Sequence, residues 1–199
     1  MLDSSKRAAD ELDEQDERPH KQLMIDQIMH EINALTNICG ECQDTTDVAE
    51  VFSPGRFTSR ASAFALRPGF ALDLRTGWDF DRAEHRDAAL KLQLRTKPWF
   101  VIGSPKCAFA SSLQRLSPDS PQWRETLRQG LQHLIFVCHM YKVQVAAGRR
   151  FLHEHPEHAA SWDLWMIKEI EALPGVQKVL GDQCPYGQWG EDQLGAALC

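Results

Sequence analysis

No stretch of this chain is apolar for the roughly 20 residues that a membrane-spanning helix needs. No secretory pattern of basic, apolar and small residues stands at its start. It carries no surplus of positive charge: 22 Lys and Arg stand against 28 Asp and Glu, a formal net charge of −6. That balance excludes a generally basic nucleic-acid-coating protein, though not a local basic patch. Regular cysteine spacing is also missing. Six Cys are scattered irregularly, which points to reduced thiols inside a cell and not to a disulfide framework. There is no internal repeat. What remains is ordinary for a folded domain, with 43% hydrophobic and 25% charged residues over 199 positions.

The first 19 residues are polar and acidic and read as a disordered tail. From His20 to Ile38 the apolar positions Leu23, Ile25, Ile28, Met29, Ile32 and Leu35 recur at helical spacing, so an amphipathic helix is expected. It is suited to capping a sheet edge or binding a partner. Cys39 and Cys42 follow as a lone C-x-x-C pair. A zinc or redox role would need a second pair or a surrounding βαβ unit, and neither is there.

Beyond this helix the pattern alternates. Val48 to Phe52 reads as a strand, Phe57 to Leu66 as a helix and Phe70 to Leu74 as a second strand, together a βαβ unit. A helix over Asp81–Leu94, capped by Asp81 or its neighbour, leads to the apolar strand Trp99–Ile102. Gly103, Ser104 and Pro105 end that strand sharply, and the first reactive side chain past the turn is the thiol of Cys107. Gln122 to Ala147 forms the longest helix, with Trp123, Leu127, Leu131, Leu134, Ile135, Cys138 and Tyr141 on its apolar face. A strand from Arg149 to Pro156, a helix from Glu157 to Ala172 and a fifth strand from Val176 to Leu180 complete the series. Such alternation predicts an α/β fold, a mostly parallel sheet with helices on both faces. Chemistry in these folds collects beyond the carboxyl ends of the strands. Asp73, near the end of the second strand, has the position that commonly holds ribose hydroxyls. His153 and His155 share one face of their strand, but no third ligand is placed beside them, and no metal is expected. The sheet's outer edge, beyond the fifth strand, calls for cover by the N-terminal helix, the C-terminal tail or a second chain.

From Val48 to Gln188 the motifs resemble the catalytic part of the cytosine-5 DNA methyltransferases, class I enzymes that use S-adenosylmethionine (SAM). The residues that carry the likeness are Glu50-Val51-Phe52-Ser53 before the first turn, Asp73 after the second strand and Asp79 after it. With them go Gly103-Ser104-Pro105-Lys106-Cys107 followed by Phe109 and Ser111, then Glu154-His155, and Tyr186-Gly187-Gln188. A looser likeness is to methyltransferase-like segments of mobile-element polyproteins. The resemblance implies a Rossmann-like fold. It assigns Cys107 as nucleophile and Glu154 as the group near N3 of a flipped cytosine. It places SAM against Glu50, Phe52, Asp73, Trp78, Asp79 and Ser104, with nucleic acid as partner, no membrane, and the nucleus as location if DNA is the substrate. Four residues depart from the family pattern. Pro54 and Arg56 stand where it has glycines, Lys106 where it has a second proline, and His155 where it has asparagine. A lysine beside a thiol raises its thiolate fraction. The changed first turn, and the lack of a counterpart to the family's target-recognition region, leave a second expectation open. That is a lapsed domain binding nucleic acid or protein. On these readings residues 1–19 are the tail, 20–42 the N-terminal helix, 47–188 the α/β domain and 189–199 a terminal tail.

Overall fold

The structure is a computed structural model that describes residues 45–106, 121–181, 190–191 and 197–198. The expected tail and helix before Thr45, the Cys39–Cys42 pair, Cys107, Phe109, Ser111 and the Tyr186–Gln188 loop lie outside the described residues.

Four strands make one all-parallel sheet: β1 (Val48–Val51), β2 (Pro68–Leu72), β3 (Phe100–Gly103) and β4 (Arg150–His153), in the order β2-β1-β3-β4. The helices are α1 (Ala83–Thr96), α2 (Pro121–Ala146) and α3 (Trp165–Glu171), with short 3-10 helices at Thr58–Phe64, Leu74–Thr76 and Ala160–Asp163. A two-residue antiparallel pair, β5 (Gly190–Glu191) with β6 (Ala197–Leu198), stands apart from this sheet. The α/β reading is thus found, with a parallel sheet of four strands.

Strand alternation sorts the side chains between two layers. Ala49, Val51, Val101 and Phe151 face the main core, where Leu134, Val137, Met140 and Tyr141 of α2 and Met166, Ile167 and Ile170 of α3 meet them. Val48 and Ile102 face the other way, against Ala61 of the first 3-10 helix. This division follows from handedness. The β1-to-β2 connection runs in one direction across the sheet and the later ones in the other, so right-handed crossovers place them on opposite faces.

At Gly103 the sheet lies close against Tyr141 and Val137 of α2. A Cβ there would lie 1.9 Å from the Tyr141 hydroxyl, so only hydrogen fits. At the amino end of the strands, a buried amide network joins three elements. Gln93 Nε2 of α1 donates to the Met140 carbonyl (2.9 Å) and to Gln144 Oε1 (3.1 Å). Gln144 Nε2 donates in turn to the carbonyls of Pro98 (2.9 Å) and Arg150 (3.0 Å), which lead into β3 and β4.

Several sequence expectations are corrected. The segment from Val176 to Leu180 joins no ladder. Lys178 Nζ lies 4.1 Å from the centroid of the Trp162 ring, and a cavity of about 650 Å³ separates the segment from β4. The outer edge of the sheet is therefore β4, with residues 176–181 along it. The helix predicted over Phe57–Leu66 is a 3-10 helix, Thr58–Phe64. The helix predicted over Glu157–Ala172 is broken at Leu164, whose extended backbone separates Ala160–Asp163 from α3. Of the two expected N-caps of α1, the structure has Arg82, the neighbour of Asp81, and its side chain makes no cap bond.

Candidate functional site

The carboxyl ends of β1 and β3 form the point where the connections diverge to opposite faces, the usual ligand crevice of an open parallel sheet. Phe52 follows β1 in a left-handed conformation, φ 59°, which a side chain adopts at a cost of about 1–2 kcal/mol. Its ring then turns toward α2, 4.8 Å from Phe80, 5.2 Å from His133 and 6.3 Å from Phe136 between centroids.

Glu50 is fully buried. Its Oε1 accepts from the Ser53 hydroxyl (2.5 Å); its Oε2 accepts from the backbone N–H groups of Phe57 (3.0 Å) and Thr58 (2.7 Å) and from the Thr58 hydroxyl (2.7 Å). Burial pushes the carboxyl up, but these four donors outweigh it and the pKa falls below the ordinary glutamate value. Glu50 therefore shapes the turn after β1 from beneath.

At the end of β2, Asp73 caps the short helix Leu74–Thr76. Its Oδ1 accepts from Arg75 N–H (2.9 Å), while its own N–H donates to Thr76 Oγ1 (2.9 Å). Trp78 is half-buried, 6.4 Å from Phe80 and 5.8 Å from His85. Asp79 N–H donates to His85 Nδ1 (2.9 Å), and Asp79 Oδ1 accepts from Asp81 N–H (3.0 Å). His133 stands 3.1 Å from Asp81 without hydrogen-bond geometry; burial lowers its pKa against the pull of that carboxylate.

The exit loops of β3 and β4 are bound together. Glu154 N–H donates to the Gly103 carbonyl (3.0 Å), and His155 Nε2 donates to the Pro105 carbonyl (2.9 Å). A carbonyl only accepts, so Nε2 carries the proton and Nδ1 accepts from Ser161 Oγ at 2.6 Å. Burial lowers the His155 pKa; Pro105 and Glu154 oppose that shift without reversing it. His153 lies beside it, ring centroids 4.5 Å apart, with Nδ1 3.1 Å from the Tyr141 hydroxyl. Burial, then the neighbouring His155, brings its pKa down to about 3. Its Nε2 is buried without a hydrogen-bond partner among the described residues, and the Trp162 ring stands edge-on at 5.5 Å. The Glu154 side chain is exposed. Ser104, whose N–H donates to the Val51 carbonyl (3.2 Å), joins β3 to β1 at the crevice.

Among the sequence-selected residues, the structure gathers Phe52 and Ser104 at the ends of β1 and β3, and Asp73, Trp78 and Asp79 along the loop after β2. It sets Glu154 beside the loop that leads to Cys107, which is itself outside the described residues. Sequence reasoning missed His133 and His85, both on helices, and the Pro105–His155–Ser161 bridge. The i, i+6 spacing of His155 and Ser161 carries no periodic signal, because a turn separates them. Among the described residues no group of three or more His, Cys, Asp or Glu converges as a metal site. No described helix is long and apolar enough to cross a membrane. No family model, curated protein or solved structure matches this chain.

Proposed function

We propose that this chain is a Rossmann-like, class I methyltransferase-like domain that binds SAM and methylates a nucleic-acid base, with cytosine C5 favoured. The observation that carries this reading is the tie between the β3 and β4 exit loops. Adjacent parallel strands lie about 4.8 Å apart. Here the bonds from Glu154 to Gly103 and from His155 to Pro105 hold the two loops at that spacing beyond the sheet. Glu154 is thereby held beside the exit of β3, the loop from which Cys107 follows in sequence.

The residues present fit a SAM-type cofactor. The half-buried Asp73 carboxylate, which caps the Leu74–Thr76 helix, has the position that suits a ribose hydroxyl. Trp78 suits packing on adenine, and Asp79 its amino edge. In the turn after β1 the Phe57 and Thr58 amides are taken by Glu50, but those of Gly55 and Arg56 find no acceptor among the described residues and suit a carboxylate. SAM supplies an electrophilic methyl group. The chain's own task is to make the base nucleophilic. Cys107 thiolate would add at cytosine C6, which raises electron density at C5, while Glu154 shares a proton with N3. Lys106 would favour the thiolate. A base inside a duplex must first be flipped out.

One observation favours a second reading, a lapsed domain, such as a mobile-element segment, that binds nucleic acid or protein without turnover. Pro54 and Arg56 occupy the turn, and Glu50 already uses two of its amides. The test is transfer of radiolabelled methyl from SAM to a cytosine-containing oligonucleotide, single-stranded and duplex. Transfer by the full chain, abolished in Cys107→Ser and slowed at least tenfold in Glu154→Gln, supports the enzyme. Absence of transfer with oligonucleotide binding intact supports the lapsed domain.

A further inference from the structure

The two faces of the sheet are unequally covered. α1, α2 and α3 all contribute to the core on one face. On the other, the described chain supplies a single 3-10 helix, Thr58–Phe64, whose Ala61 covers Val48 and Ile102. Among the described residues nothing packs on the next row out on that face. Register places Leu152 of β4 beside Ile102, and Leu152 is 41% exposed. Phe100 is only half-buried, and Phe64 on the 3-10 helix is 74% exposed. An all-parallel sheet is normally covered on both faces. The crossovers after β2 and after β3 run over the opposite face, and residues 176–181 stand off from Leu152 across the cavity beside β4.

We propose that residues 20–38 of this same chain cover the strip, laying their apolar stripe across β3 and β4 beside the 3-10 helix. Two observations point to this occupant. The first is where the described chain begins. Thr46 is held at the amino end of the sheet, its N–H on the Thr96 carbonyl (3.2 Å) and its carbonyl on Trp99 N–H (2.8 Å). Residues 39–44 separate the segment from Thr45 and span up to about 20 Å when extended. From β1 to β4 across the sheet is about 10 Å, so the bare strip is within reach. The second is shape. A helix of this length is about 28 Å long. Ile25, Ile28, Met29, Ile32 and Leu35 make one stripe on it, with Asp26, Gln27 and Glu31 left for solvent. A stripe of that width is what an uncovered sheet face takes.

The test uses the full chain with the photoreactive residue p-benzoylphenylalanine at Leu152 and, separately, at Phe64. Neither side chain belongs to the packed clusters on either face of the sheet, so each position takes the probe. Light and ¹⁵N-labelled chains are mixed, irradiated and mapped by mass spectrometry. The expected result is attachment within residues 23–36 of the same chain from both probes, falling at least fivefold in the double variant Ile28→Asp and Ile32→Asp. Attachment joining light to heavy chains would assign the face to a second copy and overturn the proposal. So would attachment elsewhere in the chain, or none.

Discussion

The two ends of the sheet are built from different chemistry. At the amino end the buried polar groups are amides. Gln93 and Gln144 link α1 and α2 to the chain entering β3 and β4, and neither titrates. At the carboxyl end the ionisable groups Glu50, Tyr141, His153 and His155 are buried or half-buried among the hydroxyls of Ser53, Thr58 and Ser161, beside a left-handed Phe52. One end fixes register at any pH. The other holds ionisable groups whose pKa values burial and hydrogen bonding move away from their ordinary ones, and such groups concentrate where folds do their chemistry. The comparison separates what holds the fold from what the fold positions.

The largest loss should come from the amino end. Gln144→Ala removes the side-chain donor to the Pro98 and Arg150 carbonyls and the acceptor of Arg149 Nε, and leaves Gln93 Nε2 with the Met140 carbonyl alone. Each buried orphan costs about 1–3 kcal/mol, and partial relaxation leaves a total of about 4 kcal/mol, readable in urea unfolding at pH 8. Gly103→Ala comes next. The new methyl meets the Tyr141 hydroxyl and ring, and overpacking of this kind costs about 3 kcal/mol. A loss under about 1 kcal/mol would mean that α2 stands further from β3 than described.

Glu50→Gln keeps the shape of the side chain and removes its charge. Hydrogen bonds to a charged acceptor contribute roughly twice what neutral ones do, so about 2 kcal/mol should be lost. The loss should be local, with faster amide exchange at Phe57 and Thr58 and little change in β4.

The smallest effect per step is that of pH, and it sharpens the contrast most. His153 is neutral in the folded chain down to about pH 3 but charges near 6.5 when unfolded. The unfolded state therefore binds more protons between those values. Stability is fully present above about pH 6.5 and is lost as pH falls, by about 1.4 kcal/mol per pH unit for this one group. His133 and His155, also lowered, act in the same direction. Replacing His153 by Phe should flatten the slope, whereas the penalty of Gln144→Ala should be the same at pH 8 and pH 6.

The sequence made much of the layering legible. Strands β1 to β4 and helices α1 and α2 lie close to where periodicity put them, because an amphipathic stripe and a short apolar run are local signals. Other features depend on partners far along the chain. Ile135 was counted on the buried face of α2 but is 48% exposed, while Phe136, Met140 and Val143 are buried; the helix turns its stripe to suit the sheet and α3. Val176–Leu180 has the composition of a strand, yet Lys178 rests over Trp162 and no ladder forms. Glu50 had the position of a cofactor ligand by resemblance, and the four donors it accepts from within its own turn carry no pattern that a single sequence displays. The site's chemistry was read from residue types, and the Pro105–His155–Ser161 bridge that supports it was not legible at all.

The central claim is that the ends of β1, β2 and β3 form a SAM crevice. Calorimetric titration of the full chain with SAM and with its demethylated product tests it most directly. The account predicts one saturable site per chain for both ligands, with affinity reduced at least tenfold in Asp73→Ala and unchanged in Glu154→Gln. Folded protein that gives no heat with either ligand, or a site indifferent to Asp73→Ala, would contradict it.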